Sequence, residues 1–162
     1  MGHKKRTCHE ACSFKQVKKI FLANSYHNKR KVVERMNFVT SPLTKKVNNV
    51  FIHVRDLRQS AEWYSQLLGL PFCEEKVVSP VYNLPISSET GITLDDHTFD
   101  PGFQLQPSKH VLFNFYTNNI DDAYQSMKDK GIPIVRPIER FDDFAYFNIQ
   151  DLDGNIIMIC NG

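Results

Sequence analysis

Two alternating apolar segments near the C-terminus, within residues 144–160, flank a short acidic turn at residues 151–155. In this turn Asp153 precedes Gly154. Glycine readily adopts positive φ, and Asp or Asn side chains bond the nearby backbone. An Asp-Gly pair between alternating segments therefore predicts two antiparallel strands joined by a tight connection. The pattern predicts a hairpin and by itself indicates no function.

The rest of the chain shows one order of elements twice. The first half has a strand at residues 48–54, a helix at 59–68, and short strands near 71–78, 81–87 and 90–96. The helix is indicated by Ala61, Tyr64 and Leu68 on one side and by Gly69 after its last turn. A segment with Pro and Gly, residues 97–109, separates the halves. The second half has a strand at 110–117, a helix at 119–130, and strands near 132–139, 144–150 and 155–160.

The strand and helix of the first half, together with the acidic turn, carry a resemblance to a known family. The motifs are the strand end at residues 50–57 (VFIHVRDL), the helix residues 60–64 (SAEWY), the LLGL run at 67–70 and the DLDGN turn. In this order they resemble the vicinal oxygen chelate family, which includes glyoxalase I, bleomycin-resistance proteins and extradiol dioxygenases. The resemblance covers roughly residues 47–161. It implies an α+β fold of two βαβββ modules that form a curved mixed sheet, with helices on the convex face and a central cleft.

Charge and punctuation divide the chain into an extension and one domain. Residues 1–35 hold ten Lys or Arg and two Glu, whereas the remaining 127 residues hold ten basic and sixteen acidic side chains. We expect residues 1–44 to be a basic N-terminal extension, flexible or a gene-model extension ahead of Met36, without a nucleic-acid or membrane partner. In this extension Cys8, His9 and Cys12 match no established zinc spacing. The domain is expected at 45–162, with halves at about 47–97 and 109–161.

Strand alternation predicts which side chains face the cleft. In the first strand the even-numbered apolar residues are expected beneath a helix, so the odd-numbered residues face the other way. The same argument applied to the later strands gives a mixed polar and aromatic surface, which is typical of small-molecule sites. A solvated sheet face is the other interpretation of such a surface. The predicted ligand contacts are Asn49, Phe51, His53, Thr93, Asp95, His110, Asn114, Tyr116, Tyr146, Asn148 and Met158.

The standard metal site of the family is not expected here. Carried over by position, the ligand places that the resemblance implies fall on Asn49, Leu112 and Met158. A divalent cation prefers imidazole or carboxylate ligands, and these three residues offer neither. We therefore expect no metal and no cofactor. The alternative is a displaced site for Zn, Ni, Fe or Mn built from His53, His110 or Asp95, which requires that these side chains lie within about 6 Å of one another.

The functional expectation is a cytoplasmic, homodimeric protein that binds a small organic molecule, similar to resistance proteins of the family. The chain has no apolar run long enough to cross a bilayer. One alternative is a metal-dependent lyase, isomerase or dioxygenase with the displaced site, and another is a non-catalytic dimerising module. The residue pattern names neither catalytic residues nor the ligand.

Overall fold

A computed structural model describes residues 41–162, and a compact unit spans Leu43–Gly162. The N-terminal extension was predicted at residues 1–44. Its first 40 residues, which include its cysteines, lie outside the described residues. The unit contains strand β1 (Asn49–His53), helix α1 (Leu57–Leu68), a short 3-10 helix (Glu74–Lys76), β2 (Val81–Asn83), β3 (Gly91–Asp95), β4 (Val111–Tyr116), helix α2 (Ile120–Asp129), β5 (Ile134–Arg140), β6 (Ala145–Gln150) and β7 (Ile156–Cys160).

The strands form two mixed sheets with the same arrangement. The first sheet has the order β1-β3-β2, and the second has the order β4-β7-β6-β5. In each sheet the strand before the helix pairs in parallel with the last strand of its half, β1 with β3 and β4 with β7. The other pairings are antiparallel. The predicted α+β architecture of two related modules is confirmed.

The prediction of a strand near residues 71–78 is wrong. Its central residues Glu74, Glu75 and Lys76 form a 3-10 turn, and none of them is buried. The segment lacks the alternation of apolar and polar side chains that a half-buried strand requires. Glu74 instead forms an ion pair with Arg58 of α1. The first sheet, as described, therefore has three strands where the second has four.

Side chains at the helix ends fix where each helix begins. The Asp56 side chain accepts a hydrogen bond from the Gln59 backbone N–H at 2.9 Å, so α1 begins two residues earlier than predicted. The Asn119 side chain caps α2 in the same way, because it accepts hydrogen bonds from the backbone N–H groups of Asp121 and Asp122. Such caps satisfy backbone donors that have no partner within the helix. Gly69 ends α1 with φ of 66°, a left-handed conformation that favours glycine.

The polar side chains of the acidic turn between β6 and β7 are buried and connect the two modules. The Asp151 carboxylate accepts four hydrogen bonds: from the backbone N–H groups of Asp153 and Asn155, from Asn155 Nδ2, and from Tyr64 Oη of α1. Asp153 accepts hydrogen bonds from Arg55. Burial raises the pKa of Asp153, although Arg55 opposes the shift. Burial and the neighbouring Asp151 carboxylate raise the pKa of Tyr64. The predicted connection is present, and it is also a structural junction between the modules.

Candidate functional site

The helices cover one face of each sheet and leave the other face for a site. In β1, Ile52 is fully buried in the core, whereas Phe51 is 55% exposed. In β4, Phe113 and Phe115 pack against the core, whereas Tyr116 is 69% exposed. The alternation therefore follows the prediction in β1 and from Phe113 onward in β4. Val111, expected on the helix side with Phe113 and Phe115, is instead 38% exposed, and the β4–β7 register shifts between Val111 and Asn114. We call the sheet surfaces opposite the core the helix-free faces.

The eleven predicted contact residues fall into two groups, one on each sheet. Hydrogen bonds and strand pairing connect residues within each group. The first group comprises Asn49, Phe51, His53, Thr93 and Asp95 of β1 and β3. The second comprises His110, Asn114, Tyr116, Tyr146, Asn148 and Met158, on or beside β4, β6 and β7.

On the first sheet, His53 and Asp95 end two paired strands and meet a third side chain, His97. His53 and Asp95 are partners in the parallel register of β1 and β3. His53 Nε2 lies 3.1 Å from His97 Nε2. Asp95 Oδ2 lies 3.5 Å from His97 Nε2 and 4.0 Å from His53 Nε2. We call these three residues the histidine cluster.

Backbone and aromatic contacts fix the position of His97 in this cluster. The residue lies just beyond β3 with φ of 53°, and its N–H donates to Asp95 Oδ1 at 2.8 Å. Phe103 stacks on the His97 ring with centroids 3.8 Å apart, and Phe99 lies on it at 4.9 Å. Phe103 also contacts the edge of His53. The segment after β3 thus folds back over the helix-free face and explains why Asp95 is buried there.

The other first-group residues form a separate polar chain. Asn49 Nδ2 donates to Thr93 Oγ1 at 2.8 Å, and Thr93 Oγ1 donates to Asn83 Oδ1 at 2.6 Å. Thr93 is consequently buried, although it lies on the helix-free face. Phe51 remains exposed between this chain and the histidine cluster.

On the second sheet, four predicted residues line one cavity of about 260 Å³. They are His110, Tyr146, Asn148 and Met158, and pairing across β6 and β7 aligns the last two. The cavity, which we call the second-sheet pocket, is lined by Lys109, His110, Val111, Arg136, Tyr146, Asn148, Ile156 and Met158. Its volume is close to the lower end of the ~300–1,000 Å³ typical of ligand pockets.

The polar groups of the second-sheet pocket include a cationic donor, Arg136, and an acceptor without a partner, Asn148. Arg136 Nη1 donates to Tyr146 Oη at 2.8 Å and pairs with Glu139 at 3.0 Å. The hydrogen bond to Tyr146, together with the Glu139 charge, raises the pKa of Arg136, which stays cationic. Asn148 is buried, and its Oδ1 has no hydrogen-bond partner among the described residues. Buried amides normally have partners, so this oxygen has unused capacity to accept a hydrogen bond.

The two remaining residues of the second group lie on β4. Asn114 Nδ2 donates to Cys160 Sγ at 3.1 Å, and its register partner is Met158. Tyr116 is exposed at the end of the strand. Neither residue lines the second-sheet pocket.

The residues at the three standard metal positions do not fit a divalent ion. Asn49 uses its amide N–H to bond Thr93, Leu112 is an exposed aliphatic side chain, and Met158 lines the second-sheet pocket. The three side chains contribute no imidazole and no carboxylate, which are the groups that such ions prefer. The structure thus provides no ligand set at these positions.

Sequence reasoning missed His97 of the histidine cluster and four residues of the second-sheet pocket, Lys109, Val111, Arg136 and Ile156. His97 was assigned to the segment between the halves, although the spacing of Asp95 and His97 at a strand end places both on one face. Lys109 and Arg136 of the second-sheet pocket were not predicted, because the alternation argument selected residues by strand parity and not by charge. His110, proposed for a displaced metal site, is not part of the histidine cluster.

A family model described as the Glyoxalase/Bleomycin resistance protein/Dioxygenase superfamily matches residues 46–159. This match covers most of the chain and agrees with the paired modules and their parallel first and last strands. The chain belongs to this superfamily, as its sequence motifs predicted.

The proteins to which this chain is similar are named after different activities. The chain is 24% identical over 122 residues to metallothiol transferase FosB from Staphylococcus haemolyticus, covering 74% of this chain and 86% of the relative. A superfamily member from Sphaerobacter thermophilus DSM 20745 matches with a TM-score of 0.58 at 17% identity, covering 74% of this chain and 98% of that one. Lactoylglutathione lyase from Agrobacterium tumefaciens matches with a TM-score of 0.56 at 17% identity, covering 74% and 96%. The two structural matches show the shared fold.

Within residues 41–162, no helix has the length and apolar character required to cross a membrane.

Proposed function

We propose that the protein binds a small anionic organic molecule in the second-sheet pocket, without a metal at the standard positions of the superfamily. The observation that carries the proposal is the lining of this pocket. Two basic side chains, Lys109 and Arg136, and His110 border it, and no carboxylate belongs to its lining. Superfamily members typically bind small molecules, which supports the same assignment.

The arrangement around Arg136 supports recognition of a carboxylate or a phosphate-like group. A guanidinium presents several N–H donors in one plane, and Arg136 uses only part of them on Tyr146 and Glu139. The Asn148 amide oxygen has no partner and can accept a hydrogen bond from a hydroxyl or N–H group on the uncharged part of the molecule. Met158 and Ile156 supply apolar surface for the uncharged part of the molecule. A ligand with one acidic end and a small apolar body fits this lining.

A thermal-shift screen tests the proposal. Small carboxylates, phosphates and their neutral amide or ester counterparts are added to chelator-treated protein. A ligand at a hundred times its Kd is expected to stabilise the fold by about 2.7 kcal/mol. We expect the anions to stabilise the protein and their neutral counterparts to have a much smaller effect. Equal stabilisation by both sets would contradict an anionic ligand.

Paired variants locate the binding. For an anion found in the screen, Lys109→Met with Arg136→Met should weaken binding at least roughly tenfold, since each charged hydrogen bond contributes about 1.5–3 kcal/mol. Lys130→Met is the matched control because Lys130 bonds the Gln66 carbonyl and lies outside this pocket. Unchanged affinity in the double variant would place the ligand elsewhere.

The histidine cluster favours a second candidate function, a metal-dependent lyase, isomerase or dioxygenase reaction at a displaced site. Two of the three residues named for such a site, His53 and Asp95, lie 4.0 Å apart. Superfamily members often use a metal, and metallothiol transferase FosB is a relative. This function requires both a bound ion and a substrate that turns over. Turnover that is lost in chelator and in His97→Asn would support it.

A homodimer is the proposed assembly. Strand β4 pairs only with β7 within the described residues, so its outer edge is open, and Val111, Leu112 and Tyr116 expose apolar surface there. Open apolar edges commonly pair with another chain. Light scattering should give twice the monomer mass of 18.8 kDa. A monomer at all concentrations would contradict this assembly.

A further inference from the structure

We propose that the histidine cluster binds one divalent transition-metal ion through His53 Nε2, Asp95 Oδ2 and His97 Nε2. This site lies at the last residues of β1 and β3, whereas the position of the superfamily's standard first ligand, Asn49, begins β1. The inference deepens the second candidate function, which requires an ion at this cluster, and it is independent of the second-sheet pocket, which contains none of these three residues.

The separations of the donor atoms are close to those around a single ion. Zinc binds imidazole nitrogen and carboxylate oxygen at about 2.0–2.2 Å, so neighbouring ligand atoms lie ~3.0–3.5 Å apart for bond angles between octahedral and tetrahedral values. Two of the observed distances, 3.1 and 3.5 Å, lie in this range. The third, 4.0 Å, involves His53, whose side chain is 40% exposed and has room to adjust.

The cluster presents Asp95 as a ligand that binds through one oxygen. Its Oδ1 accepts the His97 backbone N–H, and this bond holds the carboxylate at the end of β3. Among the described residues, no hydrogen bond is donated to its Oδ2, which faces both imidazole nitrogens. This oxygen keeps lone pairs that no donor uses and lies beside two imidazole nitrogens. A cation placed between the three atoms would bind these lone pairs and both nitrogens.

Ring stacking orients His97 in place of the usual hydrogen bond. A metal-bound histidine generally donates its second N–H to a carbonyl or carboxylate, and loss of such a partner weakens metal binding about 10–100-fold. His97 Nδ1 has no partner among the described residues. Phe103 and Phe99 hold the ring by its faces instead. We therefore expect a site of moderate affinity that loses its ion to strong chelators.

The ligand types select the class of metal. Two imidazoles and one carboxylate suit zinc, nickel, cobalt and ferrous iron, whereas calcium and magnesium prefer oxygen ligands. Three protein ligands also leave coordination positions open, which is the arrangement of sites that bind a further small molecule. The site is thus expected to bind zinc and cobalt but not magnesium.

The test is a zinc titration of the chelator-stripped full chain, followed by calorimetry. Cys8 and Cys12 are replaced by serine in every sample, because thiols bind zinc independently of the cluster. We expect one zinc per chain, with affinity at least tenfold lower in His53→Asn and at least a hundredfold lower in His97→Asn. The matched control Asp96→Asn should bind as the parent protein does. Unfolding curves in chelator establish that each variant is folded.

Cobalt spectra provide a second measurement on the same samples. Cobalt bound by the cluster should give visible absorption that His53→Asn and His97→Asn both lose and that zinc abolishes by displacement. Magnesium should leave the signal unchanged. Equal zinc stoichiometry and affinity in folded cluster variants and in their control would overturn the proposal and mean adventitious binding only. Binding of anions in chelator is measured separately, so failure here leaves the second-sheet pocket untouched.

Discussion

Asp151 and Asp95 are both buried carboxylates, but they accept different numbers of hydrogen bonds. Asp151 accepts four hydrogen bonds within the acidic turn and from α1, so both of its oxygens are satisfied. Asp95 accepts one, from His97, and turns its other oxygen toward two imidazoles. The first carboxylate is a structural group that organises backbone. The second retains unused acceptor capacity, which is the feature expected of a ligand.

The largest expected effect separates these two residues by stability. Asp151→Asn places an amide N–H group where Tyr64 Oη and Asn155 Nδ2 now donate, so donors face each other in a buried site. We expect the free energy of unfolding to fall by roughly 3–5 kcal/mol, measured by urea denaturation. Leu152→Ala, at an exposed position of the same turn, should change it by less than about 1 kcal/mol. A small loss in Asp151→Asn would mean that this turn contributes little to the fold.

Zinc should stabilise the fold by binding at the histidine cluster around Asp95 and not at the acidic turn around Asp151. At free zinc a hundred times its Kd, the free energy of unfolding is expected to rise by about 2.7 kcal/mol relative to chelator. His97→Asn should show no such rise, whereas Leu152→Ala should retain it. Denaturation curves with zinc and with chelator provide the measurement. An equal rise in both variants would show that the stabilising zinc does not bind at the histidine cluster.

Removal of one donor to Asp151 should give an intermediate effect. Tyr64→Phe leaves Asp151 Oδ2 with one donor fewer in a buried position, at a cost of about 1–3 kcal/mol. Because the pKa of Tyr64 is raised in the fold, the unfolded chain loses this proton first, from about pH 10. Stability in the wild type therefore declines above that pH by up to about 1.4 kcal/mol per unit. The difference between wild type and Tyr64→Phe should narrow there, and a constant difference up to pH 11 would contradict the assignment.

The smallest effect is expected for Asp95→Asn in chelator. An amide at this position keeps an oxygen for the His97 N–H and removes a charge that lacks donors on its other oxygen. The free energy of unfolding should change by less than about 1 kcal/mol, as read from urea curves beside those of Asp96→Asn. A loss as large as that of Asp151→Asn would show that Asp95 is structural, and the contrast between the two carboxylates would fail.

Much of the fold was predictable because it depends on local patterns. The acidic turn, the end of α1 at Gly69 and the alternation in β1 all follow from short-range chemistry. The strand predicted at residues 71–78 failed because its charged centre, around Glu74, has no apolar face to bury. Its segment contacts α1 through Arg58, a tertiary contact that periodicity does not indicate.

The candidate sites were predictable only in part. Strand parity predicted that His53 and Asp95 lie on one face, since parity is set by the backbone. That they are neighbours follows from the parallel register of β1 and β3, which parity does not indicate. His97 lies beyond the strand in a left-handed conformation, and its place depends on stacking with Phe103, which is six residues further on. The division of the predicted contacts between two sheets was likewise not visible, because the relation between the modules is set by packing and not by spacing.

The parallel pairing of β1 with β3 has one further consequence. Parallel strands require a long connection, so His53 and Asp95 come from segments separated by α1 and β2 and meet only after these have assembled. An isolated peptide from either strand would hold no more than part of the ligand set. A cobalt signal from the cluster would therefore report, during refolding, the moment at which the N-terminal module closes.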